Sequence, residues 1–261
     1  MDGPPDSGIA PTWFAFDRGR LQELALARRG EYHQAKPYPH AIIDGLVPDD
    51  VLERVLHEFP EPSGEWRRFD DPRQRKLGAS VVEVELGPVT RNVLAEFNSS
   101  AFVNFLQTLT GIEEALIPDP HYRGGGLHQI LPGGYLEVHA DFNRHPMFGL
   151  DRRVNVLVFL NKGWQSQWGG QLELWDRTMS RAEQRIEPAF NRSVIFSISD
   201  TAFHGHPEPL QCPQGRTRRS LAFYYYSNGR PERERSESHS TLWQTRPAED
   251  VSASGVRHPG P

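Results

Sequence analysis

Cysteine is almost absent from this chain, whose 261 residues include a single one, Cys212. One cysteine excludes an internal disulfide framework and a metal cage built from thiolates. The net charge is −5 and there is no long basic stripe, which argues against a nucleic-acid partner. No apolar run approaches the length of a membrane span, and residues 1–11 lack the apolar core of a signal peptide. We therefore expect a soluble, cytoplasmic protein without a membrane partner.

Glycine and proline, in contrast, are abundant, with 23 and 22 residues. This composition favours a β-rich protein with irregular connections over a helix bundle. The fold class that we predict is mainly β (α+β), with one domain over residues 12–226. The expected organisation in chain order is disorder (1–11), helical support (12–118), a β core (119–226) and a loosely held polar tail (227–261).

Apolar spacing and capping residues locate the supporting helices. They predict helices over 17–29, ending at Gly30, over 48–59, and from Ser100, a candidate N-cap, to Gly111. The charged stretch 64–78 is predicted to be a loop. In the polar tail, Trp243 is the one expected anchor.

Beyond His121, short strand-like segments alternate with connections that contain Gly or Pro. This spacing is typical of an antiparallel sandwich or barrel. The segment 153–160 is apolar on both faces, which predicts a central strand. The other predicted strands are 39–46, which leads to a turn, 81–86, 121–131, 135–140, 171–175, 193–198 and 218–226.

The first candidate site is the tripeptide His139-Ala-Asp141. On a strand, residues i and i+2 face the same side, so this imidazole and this carboxylate can both reach one ion. Composition alone generates between one and two His-x-acid pairs by chance, and the chain holds a second one at His206-Pro-Glu208. A surface strand pair is therefore the simpler interpretation of this tripeptide taken alone.

A third metal ligand is available downstream in the segment 199–207, which contains His204 and His206. Two histidines and one carboxylate on one face of Fe(II) leave three coordination positions, which suit a chelating cosubstrate and O2. Either histidine can supply the ligand, and either can instead be an ordinary loop residue. We prefer His204 and keep His206 as the alternative.

The third candidate element is the strand that begins at Arg218. Side chains alternate between the two faces of a strand, so Arg218 and Ser220 share one face and Arg219 lies on the other. An arginine fork beside a hydroxyl is a good receptor for a buried carboxylate, because the guanidinium donates two hydrogen bonds. The alternative is a solvated basic turn. The alternation continues through Ala222 and Tyr224, which favours an inward-facing Arg218.

In combination, these elements resemble the 2-oxoglutarate/Fe(II) dioxygenase superfamily, and within it the prolyl 4-hydroxylase-like branch. The resemblance covers about residues 120–226. The stretches that carry it are, in order, His139-x-Asp141, Arg152-Arg-Val-Asn-Val-Leu-Val-Phe-Leu-Asn161, Trp168-Gly-Gly-Gln-Leu-Glu-Leu174, His204 and Arg218-x-Ser220.

The resemblance implies a double-stranded β-helix (jelly roll) with iron at its open end. His139, Asp141 and His204 match the Fe(II) ligands of the family. Arg218 matches the basic residue that pairs with the distal carboxylate of 2-oxoglutarate, and Ser220 is its hydroxyl partner. The implied cofactors are Fe(II), 2-oxoglutarate as cosubstrate, and O2.

Two departures from the family pattern affect the site. Arg218 lies 14 positions after His204, which is longer than this branch leads us to expect, and His206 would shorten the gap. Phe159 stands where some relatives carry a tyrosine that hydrogen-bonds the cosubstrate. Three residues are candidates to replace that contact: Asn155, Gln129 and Tyr135.

The resemblance also implies the reaction, which is hydroxylation with release of succinate and CO2. Asp141 favours hydroxylation, because related halogenases carry Gly or Ala in its place. The substrate is a small molecule or a peptidyl group: a prolyl residue, an amino acid or a natural-product intermediate. The oligomeric state stays open, with a homodimer as one option. Five residues can shape the substrate pocket or merely form its rim: Arg123, Arg144, Arg152, Trp164 and Trp168.

Two other classes of protein fit the same fold. A cupin-like metalloenzyme would not use 2-oxoglutarate, and loss of Arg218 would leave its activity largely intact. A non-catalytic jelly-roll binding module would neither bind iron tightly nor consume 2-oxoglutarate. The joint presence of three ligands and the Arg-x-Ser pair favours the oxygenase.

Overall fold

The structure is a computed structural model that describes residues 15–62, 66–79 and 86–247. The disorder predicted for residues 1–11 lies outside the described residues, as does the strand predicted over 81–86, apart from Leu86. No helix among the described residues is long and apolar enough to span a membrane.

Within the described residues, the N-terminal half contains four α-helices: α1 (Arg18–Gln34), α2 (Asp49–Glu58), α3 (Pro88–Phe97) and α4 (Ser100–Thr110). The N-cap of α4 is Ser99 rather than the predicted Ser100, since the Ser99 hydroxyl accepts from the Phe102 amide at 3.4 Å. Gly111 ends α4 with a left-handed φ of 65°, as its sequence position predicts.

Helix α1 runs past its predicted end at Gly30. Tyr32, in the added turn, is fully buried, and its hydroxyl lies 2.8 Å from that of Ser197. This packing outweighs the low helix propensity of glycine. Helix α3 was not predicted.

In the described part of the chain, thirteen strands form one curled, antiparallel sheet, which gives the predicted jelly roll. Ten of them follow the order β1-β10-β7-β12-β5-β3-β6-β11-β8-β9. Strand β13 pairs with β6, β2 with β3, and β4 with β12. The strands are β1 (His40–Asp44), β2 (Arg67–Asp71), β3 (Gln74–Ala79), β4 (Ile117–Pro118), β5 (Gly126–Ile130), β6 (Tyr135–Ala140), β7 (Asp151–Phe159), β8 (Leu172–Trp175), β9 (Ala182–Ile186), β10 (Arg192–Ser197), β11 (His204–His206), β12 (Arg218–Ser227) and β13 (Leu242–Trp243). Strand β7 is central, between β10 and β12, as predicted.

Strand β12 joins the helices to the interior of the jelly roll. Its face that carries Phe223 and Tyr225 packs on the helices: the Phe223 ring stacks on Phe97 at 4.1 Å, and the Tyr225 hydroxyl donates to the Phe97 carbonyl at 2.7 Å. The alternation of side chains then turns Arg218 and Ser220 towards the opposite face. The apolar helix contacts thereby orient the polar side chains of the same strand.

The prediction of a loop over 64–78 is wrong, because β2 and β3 form a hairpin there. Strand β3 lies between β5 and β6, so it bridges the two halves of the sheet. Its sequence, Gln-Arg-Lys-Leu-Gly-Ala, has too few apolar residues for an alternating pattern. Strands β9 and β11 were missed for a related reason, since both are short and polar.

The prediction of a loosely held tail is wrong for residues 227–247. Strand β13 pairs with β6, with Trp243 opposite His139, which agrees with the anchor predicted at Trp243. Arg246 follows and forms ion pairs with Glu208 and Glu137. The domain boundary at residue 226 stays a prediction, and residues 248–261 lie outside the described part.

A bulge in β6 sets the register of the strands that carry the candidate ligands. His204 pairs with His139, but His206 pairs with Leu136, so three steps on β6 face two on β11. Gly205 lies at the bulge, where a Cβ atom would come within 2.8 Å of the Leu136 carbonyl oxygen and 2.9 Å of that of Glu137.

We predict that Gly205→Ala destabilises the fold by about 1–3 kcal/mol, because rigid backbone would have to shift to admit the methyl group. Thermal unfolding measures the effect. Gly78→Ala is the matched control, since its methyl group would meet only ordinary contacts at 3.6 Å and 3.8 Å. Equal melting temperatures for the two variants would contradict the prediction.

Candidate active site

Strands β6 and β11 bring three potential metal ligands together. One ligand atom each from His139, Asp141 and His204 lies within 4.8 Å of the others. The Nε2 atoms of His139 and His204 lie 3.6 Å and 3.5 Å from the two Asp141 carboxylate oxygens. Such a cluster is dense enough for all three side chains to contact one ion.

Backbone carbonyls orient both imidazole rings. The Nδ1 atom of His139 donates to the Glu137 carbonyl at 2.8 Å, and that of His204 donates to the Ala202 carbonyl at 2.9 Å. A ring whose Nδ1 carries the hydrogen presents a free lone pair on Nε2, the atom on the Asp141 side. The rings are therefore held in the tautomer that a metal requires.

Arg152 and Asn155 hold the Asp141 carboxylate. Arg152 Nη2 lies 3.1 Å from Asp141 Oδ2, and the Asn155 amide donates to the same oxygen at 2.8 Å. Asn155 Oδ1 in turn accepts from Arg152 Nε and Nη2. Burial on its own raises the pKa of Asp141, but Arg152 and the imidazoles outweigh it and hold that pKa well below the usual range. The carboxylate is therefore ionised and aligned.

His206 lines the same cavity but lies apart from the three-residue cluster. Neither of its ring nitrogens has a hydrogen-bond partner within the described part of the chain. Burial, followed by the charge of Arg218, holds its pKa well below the usual range. Burial also lowers the pKa of His204, to about 4, so both rings are neutral near pH 7.

Arg218 is a buried cation on the wall of this cavity. It is 4% exposed, its Nε donates to the Gly170 carbonyl at 2.7 Å, and its guanidinium lies 4.8 Å from the centre of the Phe159 ring. Burial lowers its pKa to about 9. No carboxylate of the described residues forms an ion pair with it, although Ser220 lines the cavity beside it. A buried, unpaired guanidinium of this kind suits an anionic ligand.

Gly170 makes room for Arg218. Its φ is 77°, and a Cβ atom there would lie 3.0 Å from the Arg218 Cδ and 2.6 Å from a Leu210 methyl. A side chain at this position would therefore displace the guanidinium. This contact accounts for the second glycine of Trp168-Gly-Gly170.

Comparison with known proteins places this site in a family. Residues 125–226, which carry the ligand cluster and Arg218, match the family model of the 2OG-Fe(II) oxygenase superfamily. The chain carries a 2OG-Fe(II) oxygenase domain over these residues. It is therefore an oxygenase that uses Fe(II), 2-oxoglutarate and O2, as the sequence resemblance predicted. No curated protein matches the chain by sequence.

Solved structures of similar fold include prolyl hydroxylases. A Pseudomonas putida prolyl-4-hydroxylase superimposes with a TM-score of 0.57 at 18% identity, covering 78% of this chain and 100% of its own. A Trichoplax adhaerens prolyl hydroxylase, in complex with a hypoxia-inducible-factor peptide, gives 0.59 at 18% identity, covering 84% and 94%. HygX from Streptomyces hygroscopicus, with nickel and 2-oxoglutarate bound, gives 0.51 at 11% identity, covering 85% and 96%. These similarities show that the oxygenase shares the fold of these proteins.

The donor set of this oxygenase fits Fe(II). Two imidazoles and one carboxylate are a usual ligand set for non-haem iron, and His139, Asp141 and His204 would hold the ion. When bound, the iron would supply the activation of O2 that couples decarboxylation of 2-oxoglutarate to substrate oxidation.

The three residues that were candidates for a cosubstrate contact differ in whether they line the cavity. Asn155 lines the cavity. Gln129 instead pairs across the strands with Arg219 and donates to the Thr217 hydroxyl at 2.9 Å. The Tyr135 hydroxyl donates to the Asp71 carbonyl at 3.2 Å. Neither Gln129 nor Tyr135 lines the cavity, so the structure does not support a cosubstrate contact for these two.

Strand register explains both corrections. On β5, His128 lies opposite Ser220 and Ile130 opposite Arg218, so the even-numbered side chains of β5 face the cavity. On β6, the bulge changes the alternation between Leu136 and His139, and Leu136 faces the cavity in place of its neighbour Tyr135.

Sequence reasoning missed several residues of the site. Lys76 lies in a stretch that was predicted to be a loop, and His128 had no register from which to infer its direction. Arg152 was considered only as a pocket or rim residue, although it is 1% exposed and contacts Asp141. Tyr224 also lines the cavity. The alternation of side chains along its strand was the one sequence signal for that position.

We predict that Arg152→Met weakens Fe(II) binding by about 10–100-fold, the usual effect of removing a group that orients a metal ligand. The pH at which Fe(II) binding is half lost should also rise. Removing the guanidinium raises the pKa values of Asp141 and His204, so protons compete with the metal at higher pH.

Anaerobic Fe(II) titrations across the acid to neutral range measure both effects. Arg144→Met is the control, because the Arg144 side chain is 45% exposed and pairs with Asp151 rather than Asp141. A pH profile of Arg152→Met that coincides with that of the wild type would refute the prediction.

Proposed function

We propose that this oxygenase hydroxylates its substrate, with His139, Asp141 and His204 as the Fe(II) ligands. Arg218 and Ser220 hold the distal carboxylate of 2-oxoglutarate. One oxygen atom of O2 enters succinate as CO2 is released, and the other becomes the hydroxyl group of the product. The observation that carries this proposal is the buried Arg218, which has no carboxylate partner in the described part of the chain, in the cavity that the ligand cluster also lines.

The choice of His204 over His206 rests on geometry. His204 lies directly opposite His139, and its Nε2 is 3.5 Å from Asp141. His206 pairs with Leu136, on the other side of the β6 bulge from the pair that adjoins Asp141. A carboxylate at position 141 also occupies the space that a halide would need, which favours hydroxylation over halogenation.

The substrate class that we propose is a prolyl residue, an amino acid or a small natural-product intermediate. The fold shared with prolyl hydroxylases supports the first of these. We further propose a cytoplasmic enzyme, which a chain with a single cysteine suits.

We predict that anaerobic addition of Fe(II) and 2-oxoglutarate to the apo-protein produces the visible charge-transfer band of the chelate. His204→Ala should abolish the band, and His206→Ala should keep it. Arg218→Ala should weaken 2-oxoglutarate binding by about 10–100-fold, since a hydrogen bond to a charged group contributes roughly 1.5–3 kcal/mol.

The ligand 2-oxobutyrate, which lacks the distal carboxylate, provides the matched control. Its affinity should be nearly the same for the wild type and for Arg218→Ala. A band that survives in His204→Ala but is lost in His206→Ala would reassign the ligand. Failure of both iron and 2-oxoglutarate to bind would indicate a binding module instead.

A further inference from the structure

A second cationic side chain, besides Arg218, reaches the cavity from the β2–β3 hairpin. Lys76 of β3 lines the cavity together with Arg218 and Ser220. Its side chain is half-buried, and its Nζ lies 5.3 Å from the centre of the Phe69 ring. The lysine lies outside residues 125–226, the segment that matches the family model. The hairpin therefore adds a charged group to a site that is otherwise built by the family segment.

Strand pairing aligns Lys76 with Arg218. On one side of β5, Leu77 of β3 pairs with Gln129, and continuing this antiparallel register by one residue sets Lys76 level with Ile130. On the other side of β5, Ile130 pairs with Arg218. Lys76, Ile130 and Arg218 all line the cavity. The two cations thus occupy one cross-strand row, and a backbone separation of roughly 10 Å, two strand spacings, is within reach of two long side chains.

The register with β6 sets the backbone of Lys76 away from the iron ligands. Gln74 of β3 pairs with Leu136, which precedes His139 on β6. Because the two strands are antiparallel, the step from Gln74 to Lys76 leads further from His139. The lysine therefore enters the cavity at the end where Arg218 lies.

Neither cation at this end of the cavity has an anionic partner. No carboxylate of the described residues forms an ion pair with Lys76 or Arg218. Asp141 is the one acidic residue that the structure describes on the cavity wall, and it pairs with Arg152.

The ammonium of Lys76 is the prevailing form near pH 7. Burial lowers the pKa of Lys76 to about 8, Asp141 opposes this effect, and the like charges of Arg152 and Arg218 add to it. Two like charges that share a cavity are costly unless a ligand supplies a counter-charge.

We propose that Lys76 is a second binding residue for the distal carboxylate of 2-oxoglutarate, so that an ammonium from β3 and a guanidinium from β12 bind the same group. This inference rests on the proposed function. A carboxylate offers about four acceptor positions on its two oxygens, which suffice for Lys76, Arg218 and the Ser220 hydroxyl together. The shared anion also reduces the repulsion between the two cations. Because Lys76 belongs to the hairpin, the cosubstrate then stabilises the hairpin against local opening.

Affinities from the anaerobic chelate band test the proposal. Lys76→Met should weaken binding of 2-oxoglutarate by about 10-fold, because a charge-assisted contact is lost. Binding of 2-oxobutyrate, which has no distal carboxylate, should stay nearly unchanged, and its chelate band shows that the variant is folded. Lys76→Arg should retain most of the affinity. The double variant Lys76→Met/Arg218→Ala should bind 2-oxoglutarate no more tightly than 2-oxobutyrate.

Hydrogen exchange of the saturated Fe(II) complexes gives a second readout, and its first part needs no variant. In the wild type, 2-oxoglutarate should slow exchange of the β3 amides more than 2-oxobutyrate does. In Lys76→Met this difference should disappear from β3 and remain in β12, which carries Arg218. A purely structural role of the lysine would affect the complexes of both ligands alike.

Arg68→Met is the matched control, because it removes a positive charge from an exposed position on the same hairpin. This variant should match the wild type in both measurements.

The proposal is overturned if Lys76→Met binds 2-oxoglutarate as tightly as the wild type does. It is also overturned if the variant weakens both 2-oxo acids equally, because the lysine would then act on the iron end or on the fold. Equal exchange of the wild-type β3 amides with the two ligands would overturn it even if Lys76→Met failed to fold. Absence of the chelate band in the wild type would refute the proposed function itself, so the two failures are distinguishable.

Discussion

The antiparallel pairing of β6 with β11 is the contact on which the rest of the site depends. It sets His204 directly opposite His139, so two residues that are far apart in the sequence become cross-strand neighbours with ring centres 4.6 Å apart. The bulge beside this pair then removes His206 from the cluster. In a regular antiparallel ladder, the side chains of paired residues alternate together along both strands. The bulge interrupts this pairing directly after the pair His139–His204.

Burial of charge is the second constraint. The cavity takes Asp141, Arg152 and Arg218 out of water, and each must find a compensating partner. Asp141 and Arg152 compensate one another through Asn155. Among the described residues, Arg218 contacts a backbone carbonyl and the Phe159 ring but no carboxylate, so its charge favours a ligand that supplies one. The buried charge of Arg218 therefore favours anionic ligands, and 2-oxoglutarate is such an anion.

The helices contribute to the site indirectly. They cover one face of β12, where Phe97 stacks on Phe223, and this apolar contact fixes which side chains of the strand face inward. Elsewhere in the sheet, β13 pairs with β6, and the Trp243 ring centre lies 5.1 Å from that of His139. The C-terminal segment thus packs directly against the strand that carries His139.

The sequence by itself determined the fold class, the central strand β7 and the chemistry of the site. Period-two alternation places His139 with Asp141 and Arg218 with Ser220, and these patterns are local. The tertiary structure decided what local patterns cannot specify: the bulge that separates His206 from the cluster, the polar hairpin that brings Lys76 into the cavity, and the burial of Arg152 beside Asp141. Each of these depends on which strands pair and in which register, and strand pairing is an interaction between distant segments that no single segment encodes.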